Sequence, residues 1–297
     1  MPISNKPIEY FNRQSGEIEF ESVYGGSLVS LLYETKGGQI LADKILSRPW
    51  LSHYYGLYQD SPLSKYKIKK FIDEFKINMS EYEGREFGSF NDFFTRKFKL
   101  ESRNFTRNQN SMAAFAEGRY LGFDKISPEL RFPVKGGFLT AKALLGVGNL
   151  SGKLSNGPML IARLCPVDYH RFHFPDDGKI LETYRVEGSL HSVNPTALKF
   201  KGDIFATNER QISILETGSF GTLAYVEVGA LCVGKIVQTH DSVSFKRGDE
   251  KGYFHFGAST VIVMGEPGRW KPSSDILENS QIGREVFIRL GDVIANL

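Results

Sequence analysis

The hydrophobic and polar positions divide the chain into a helical first part and a strand-rich remainder. In the first hundred residues, apolar side chains recur every three or four positions, as one face of an amphipathic helix requires. The stretches with this spacing are 27–33, 38–46 and 64–75. An unusually aromatic connector, WLSHYYGLY (50–58), lies between the last two. We therefore predict a helical N-terminal region over residues 1–90.

This helical region has two compatible interpretations. The spacing of its apolar residues is typical of a small helical bundle that packs on the main domain. Its Trp, Tyr and Lys content indicates a membrane-facing surface, since these residues anchor in lipid headgroups. Within 64–75, Ile68 and Phe71 share one face, while Lys65 and Lys69 lie on or beside the other. One helix can pack one stretch and expose another, so both interpretations stay open.

Beyond about residue 90 the pattern changes to short apolar runs that glycine interrupts. Runs rich in Val, Ile, Phe and Tyr, bounded by Gly, Asn and Asp, are typical of antiparallel sheets. The runs are MLIARLC (159–165), ISILET (212–217), LAYVEVGALCVGKIVQT (223–239) and STVIVM (259–264). The predicted fold class is α+β, with a helical N-terminal part packed on a mainly antiparallel, β-rich domain over residues 91–297.

Composition and charge exclude several classes of protein. With 41% hydrophobic and 24% charged residues, the chain is globular rather than disordered. A net charge of +3 is too small to indicate nucleic acid as a partner. Cys165 and Cys232 lie far apart and outside metal-ligand spacing, so we expect buried free thiols in a reducing compartment. No apolar run reaches the roughly 20 residues of a membrane span, and the N-terminus lacks a secretory signal's apolar core. We expect a protein that is soluble or sits on a membrane without crossing it.

Candidate chemistry occurs first in the block that holds Asp168, His170 and His173. The His-x-x-His spacing is compatible with a metal, but no other Cys or His cluster supplies further ligands, so no metal site is predicted. A polar strand end with a solvated histidine is one alternative. Acid–base use is more attractive, because imidazole titrates near neutral pH.

A second candidate is the turn Gly257-Ala258-Ser259-Thr260, which leads straight into an apolar run. Alone, it is typical of a small-residue β-turn. It is not a nucleophile elbow, because no glycine follows the serine at the required spacing and no helical pattern comes next.

Seven blocks together resemble the phosphatidylserine decarboxylase family, over nearly the whole chain. Their order and spacing are more specific than any single motif. The resemblance implies a pyruvoyl-dependent enzyme that is made as an inactive proenzyme and cuts itself. The blocks are FNDFFTRK (90–97), CPVDYHRFHF (165–174), SVNP (192–195), NER (208–210), EVGA (227–230), GDEKG (248–252) and FGAST (256–260).

The resemblance implies a covalent cofactor that derives from Ser259. Its hydroxyl attacks the carbonyl of Ala258 and converts that amide to an ester. Elimination and hydrolysis then leave an N-terminal pyruvoyl group, which serves as the electron sink when CO2 leaves. The products of the cut are a β chain, 1–258, and an α chain, 259–297.

The resemblance also implies roles for three further side chains. His173 matches the base that activates Ser259, Glu117 the carboxylate of the same relay, and His170 the histidine of the decarboxylation step. Two positions depart from the family. Glu117 replaces an aspartate, and a misplacement of about 1 Å costs roughly a hundredfold in rate. Ala258 replaces a glycine and disfavours positive φ.

The expected function is conversion of phosphatidylserine to phosphatidylethanolamine and CO2 at an anionic membrane surface. The family resemblance implies a homodimer of processed protomers, and we expect a peripheral protein on the cytoplasmic face. Two alternatives stay open: decarboxylation of a free amino acid, and an uncleaved pseudoenzyme that binds lipid or a protein partner.

Overall fold

The computed structural model describes residues 8–21, 31–126, 140–146, 150–194, 197–198, 201–231, 235–257 and 259–297. Four predicted features lie outside them: part of the stretch 27–33, Pro195, Cys232 and Ala258. The described residues form an α+β fold, which confirms the predicted class. Cys165 is a buried free thiol, as predicted.

The strands form one ten-stranded sheet and two three-stranded sheets. In the large sheet the order is β11-β7-β8-β9-β13-β5-β4-β15-β1-β2, and the small sheets are β10-β12-β6 and β14-β16-β3. All pairings are antiparallel except β1 with β15. The strands are β1 (Glu9–Asn12), β2 (Glu17–Phe20), β3 (Ser111–Ala113), β4 (Gly118–Phe123), β5 (Met159–Leu164), β6 (Arg171–His173), β7 (Gly178–Val186), β8 (Arg210–Thr217), β9 (Gly221–Val228), β10 (Ile236–Gln238), β11 (Ser244–Phe245), β12 (Glu250–Phe254), β13 (Ser259–Gly265), β14 (Lys271–Pro272), β15 (Glu285–Ile288) and β16 (Val293–Asn296).

The helices in the described ranges are short, twelve residues at most. They are α1 (Lys36–Leu41), α2 (Pro49–Asp60), α3 (Lys67–Phe75), α4 (Phe90–Phe94), α5 (Ala141–Leu145), α6 (Leu150–Leu154), α7 (Ile204–Thr207) and α8 (Ser274–Gln281). A π-helical turn, Ala42–Leu46, continues α1, and 3-10 turns cover Pro62–Tyr66, Met79–Glu81 and Leu100–Ser102.

The centre of the large sheet is β13, which pairs with β5 on one side and β9 on the other. All its residues are buried, and four of the seven are Val, Ile or Met. Burial of each such side chain stabilises the fold by about 1.5–3 kcal/mol. The predicted strands 159–165 and 259–264 therefore form as continuous apolar runs in the middle of the sheet.

Two parts of the N-terminal region differ from the predicted pattern. Residues 9–20 are not helical, because β1 and β2 form a hairpin that joins the large sheet through β15. The aromatic connector 50–58 is not a connector, because Pro49 begins helix α2, which runs to Asp60. Proline at the first turn suits a helix, since its missing N–H would have no helical partner there. The boundary near residue 90 stays a prediction.

Helices α2, α3 and α4 enclose an aromatic cluster that includes one residue of the β-rich part, Phe256. The predicted packing of the helical part on the main domain therefore occurs just before Ser259. The other members of the cluster are Ile68, Phe71, Phe87, Phe90, Phe93 and Phe94.

Many apolar side chains of the helical region stay exposed. We call them the apolar helical surface: Leu31, Ile40, Leu41, Ile45, Trp50, Tyr54, Leu57, Tyr58, Leu63 and Tyr66. Within the described ranges no helix is both long and apolar enough to span a bilayer.

Candidate active site

Ser259 is the first residue of β13 and is completely buried. Its Cα pairs with that of Leu164 at the end of β5. Its Oγ has no hydrogen-bond partner within the described part of the chain.

The backbone before Ser259 has a conformation that favours glycine. Gly257 has a φ of +146°. The N–H of Phe256 donates to Oδ1 of Asn91 at 2.8 Å. The chain is therefore bent and held by a side chain immediately ahead of the predicted cleavage point.

His170 is a buried, neutral base next to this segment. Its ring contacts that of Phe94, with 4.0 Å between the ring centroids. Nδ1 lies 3.1 Å from the carbonyl oxygen of Asp168, and since that oxygen only accepts, the proton is on Nδ1. Burial lowers the pKa of His170 to about 3, and the carbonyl groups of Asp168 and Gly257 oppose this lowering. Nε2 is buried and has no hydrogen-bond partner among the residues described.

His173, on β6, has a contact at each ring nitrogen. Nδ1 donates to the carbonyl oxygen of Gly248 at 2.8 Å, and Nε2 lies 3.4 Å from the Tyr169 hydroxyl. The ring also lies near those of Phe105 and Tyr169. Burial lowers the pKa of His173, so this imidazole is neutral at pH 7 as well.

Glu117 is buried in an ion pair with Arg103. Nε of Arg103 lies 2.5 Å from one carboxylate oxygen and Nη2 lies 2.7 Å from the other. The N–H of Leu290 also donates to this carboxylate, at 3.1 Å. Burial raises the pKa of Glu117, and Arg103 opposes that shift.

The structure brings the predicted site residues together only in part. His170 lies beside Gly257, whereas Glu117 and His173 have Arg103 and Gly248 as their described partners. The segments of the last two are nonetheless adjacent, because the His173 N–H donates to the carbonyl of Phe115 at 2.7 Å. The relay from Glu117 through His173 stays a prediction.

Sequence reasoning gave no role to Asn91, although its block supported the resemblance. The sequence signal that could have indicated a role is a polar residue inside an aromatic run. Asn91 is three residues from Phe94 and therefore lies on the same helix face. Across the described ranges, no group of three or more His, Cys, Asp or Glu side chains has an arrangement that could hold a metal ion.

Comparison with known proteins gives consistent matches. The sequence profile of the phosphatidylserine decarboxylase family matches residues 90–296. The chain is 42% identical to the phosphatidylserine decarboxylase proenzyme of Clostridium tetani over 290 residues, which covers 97% of each chain. It is 39% identical to that of Fusobacterium nucleatum over 292 residues, again 97% of each chain. The corresponding protein of Clostridium botulinum (strain Hall) is 38% identical over 290 residues, 97% of this chain and 98% of the relative.

Proposed function

Because the chain belongs to the phosphatidylserine decarboxylase family, we propose that it cuts itself before Ser259 and then converts phosphatidylserine to phosphatidylethanolamine and CO2. The observation that carries this proposal is the buried Ser259 hydroxyl, which lacks a partner in the described structure and begins the central strand. A neutral imidazole, His170, lies beside the preceding Gly257.

The residues near Ser259 fit a pyruvoyl group derived from it. Ser259 Oγ and His170 Nε2 are buried polar atoms that have no partner among the described residues. The group would remain attached through Thr260, with His170 as the nearby proton carrier. When formed, it supplies a carbonyl that accepts the electron pair released as CO2 leaves.

Self-cleavage requires that a base activate the serine, that an ester form, and that an elimination then break the chain. The serine proton passes to a neutral imidazole while Oγ bonds to the Ala258 carbonyl carbon. The C–N bond then breaks, and the freed nitrogen takes a proton, which leaves an ester. Loss of the Cα proton of residue 259 breaks its Cβ–Oγ bond and releases Ala258 as a carboxylate. Finally, water adds and the nitrogen of residue 259 leaves as ammonia, which yields the pyruvoyl group.

Following the family pattern, we assign proton removal from Ser259 to His173 and the decarboxylation step to His170. Burial keeps both rings neutral, so each has a lone pair for a proton, and the same burial makes each a weaker base than a free imidazole. Glu117 would act in this relay if its carboxylate left Arg103 and accepted a hydrogen bond from Nδ1 of His173 instead. The adjacency of the two segments at Phe115 supports this exchange.

We further propose that the apolar helical surface docks on the cytoplasmic face of an anionic membrane. Exposed lysines accompany it, among them Lys44, Lys65, Lys69 and Lys70. Each lysine near an anionic surface contributes about 1 kcal/mol. Family resemblance also leads us to propose a homodimer, which sedimentation analysis of the purified protein would test.

An uncleaved lipid-binding protein is the second candidate, because Glu117 pairs with Arg103 rather than with His173. Intact mass after purification separates the two. We expect chains 1–258 and 259–297, the second beginning with pyruvoyl, and a single uncut chain for Ser259→Ala. An uncut wild-type chain after long incubation would favour the second candidate.

Substrate choice is tested next, on the cleaved protein. Release of CO2 from vesicles that contain phosphatidylserine, without release from free serine, is the expected result. Release from free serine alone would instead establish the amino-acid decarboxylase.

A further inference from the structure

We propose that Asn91 is a positioning residue for self-cleavage and that it connects helix α2 to the backbone ahead of Ser259. This inference rests on the proposed self-cleavage. It concerns how the backbone at Phe256 and Gly257 is held, which neither the histidines nor the serine explains.

The first contact fixes the segment itself. The Asn91 side chain is buried, and its Oδ1 accepts the Phe256 N–H at 2.8 Å. The neighbouring residue, Gly257, then has its φ of +146°. One side-chain oxygen thus anchors the chain three residues before the serine that must attack.

The second contact reaches the helical region. Asn91 Nδ2 donates to Oδ1 of Asp60, the last residue of α2, at 2.8 Å. The same nitrogen lies 3.1 Å from Nδ1 of His255, which precedes Phe256. A flipped carboxamide would turn its NH2 group toward the Phe256 N–H and its oxygen toward the Asp60 carboxylate, so the orientation of Asn91 is determined.

The rings of helix α4 reinforce this position from both sides. Phe90 and Phe94 contact Phe256, with ring centroids 5.1 Å and 5.0 Å apart. Phe94 also contacts His170 on its other side, at 4.0 Å. The helix is anchored independently of Asn91, since the Phe90 N–H donates to the buried Ser64 hydroxyl at 2.8 Å.

Attack by Ser259 requires its hydroxyl and the preceding carbonyl to meet within a narrow geometry, and an error of about 1 Å costs roughly a hundredfold in rate. Loss of the hydrogen bond between Asn91 and Phe256 removes the polar restraint on that backbone, whereas the ring contacts of Phe256 with Phe90 and Phe94 can remain. We therefore expect the cleavage rate to depend on Asn91 more strongly than the fold does.

The test follows self-cleavage of the full chain over time, from synthesis in a cell-free system. Asn91→Leu removes both contacts, whereas the double variant Asn91→Asp with Asp60→Asn keeps an acceptor for the Phe256 N–H and a donor–acceptor pair between positions 60 and 91. Ile68→Val is the matched control, because it weakens the same aromatic cluster without touching the segment. Thermal unfolding of each variant in a Ser259→Ala background reports the loss of stability alone.

We expect Asn91→Leu to cleave at least about tenfold more slowly than Ile68→Val at equal loss of stability. The double variant Asn91→Asp with Asp60→Asn should recover part of that loss. Asp60→Ala, which removes the acceptor on α2 together with its contact with His255 but keeps the bond from Phe256 to Asn91, should slow cleavage less than Asn91→Leu does.

Hydroxylamine, which cuts an ester but not an amide, identifies the affected step. We expect it to release no additional small chain from Asn91→Leu, because the ester does not form. Release at the wild-type level, or cleavage of Asn91→Leu as fast as that of Ile68→Val, would overturn the proposal. Wild-type speed in Asp60→Ala would overturn the connection to α2. An uncut wild-type chain would instead refute self-cleavage, and this inference with it.

Discussion

The backbone conformation of Gly257 leads to a prediction for a single substitution, because L-residues with a side chain rarely adopt a φ of +146°. Gly257→Ala is expected to slow self-cleavage by about tenfold or more, since 1–3 kcal/mol of backbone strain falls on the reacting segment. Gly268→Ala is the matched control, with a φ of +70° and no atom within 4 Å of the added Cβ. Gel time courses compare the two. Equal slowing in both variants would assign the effect to general instability.

The two histidines of the candidate site should give different phenotypes. His173→Ala is expected to leave the chain uncut, or to slow cleavage by at least about a hundredfold, because it removes the base for Ser259. His170→Ala should permit cleavage but lower CO2 release by a similar factor. His240→Ala serves as control, since it lies outside the candidate site. Wild-type cleavage in His173→Ala would refute its assignment as the base.

Sequence reasoning predicted roles for Ser259 and His170 but not the way their surroundings hold them. Serine and histidine have chemistry of their own, so a family block containing them predicts a role. Asn91 has no such chemistry, and its importance depends on contacts with Asp60 and Phe256, which are 31 and 165 residues away along the chain. Pairings over such separations are decided by the fold and leave no local pattern.

At the scale of elements, continuous apolar runs were predicted well and short amphipathic segments poorly. Strands β5 and β13 are buried on both faces, so their sequences are mostly apolar, with Arg163 in β5 and Ser259 and Thr260 in β13 as the exceptions. The hairpin of β1 and β2 has only four residues in each strand, several of them exposed, and its pairing with β15 comes from the other end of the chain. Helix α2 was missed because its large apolar residues, Trp50, Tyr54 and Tyr58, lie on an exposed face, whereas its buried positions include the polar Ser52 and Gln59.

The apolar helical surface makes a prediction about membrane binding. Trp50 and Leu57 are 55% and 53% exposed, so replacing both by serine should leave the fold intact. We expect the variant to bind phosphatidylserine-containing vesicles about tenfold more weakly, because the apolar area available for burial is smaller. Leu100→Ser, at an exposed position outside this surface, is the control. Co-sedimentation measures the binding, and equal affinity in all three proteins would exclude this surface as the contact.

At the scale of the whole molecule, a buried charge cluster joins the N-terminal hairpin to the C-terminal strand. Glu21 follows β2 and lies 2.6 Å from Arg163 of β5 and 3.1 Å from Arg119 of β4. Arg163 also pairs with Glu285 at the start of β15. Burial alone would raise the pKa of Glu21, but the two guanidinium groups lower it from 4.5 to about 2.

This shift predicts how stability depends on pH. Because the folded pKa lies below the unfolded one, the contribution of Glu21 is complete above about pH 4.5 and is lost as the pH falls toward 2. It is on the order of 3 kcal/mol at pH 7. Urea unfolding of Glu21→Gln should show that deficit at pH 7 and much less at pH 3, in a Ser259→Ala background that keeps the chain whole. Glu17→Gln, an exposed position on the same hairpin, should show little at either pH.

The position of Ser259 at the start of the central strand has a consequence for the lifetime of the protein. Residues 259–297 supply β13 between β5 and β9, β15 between β4 and β1, and strands of a third sheet. The uncut chain folds as a single molecule, whatever its concentration. After the proposed cut, the same interleaved strands would belong to two molecules, and recovery from unfolding would become a second-order encounter between them. A cleaved protein would therefore persist through slow unfolding rather than through repeated refolding, and its half-life would depend on the barrier that holds β13 in the sheet.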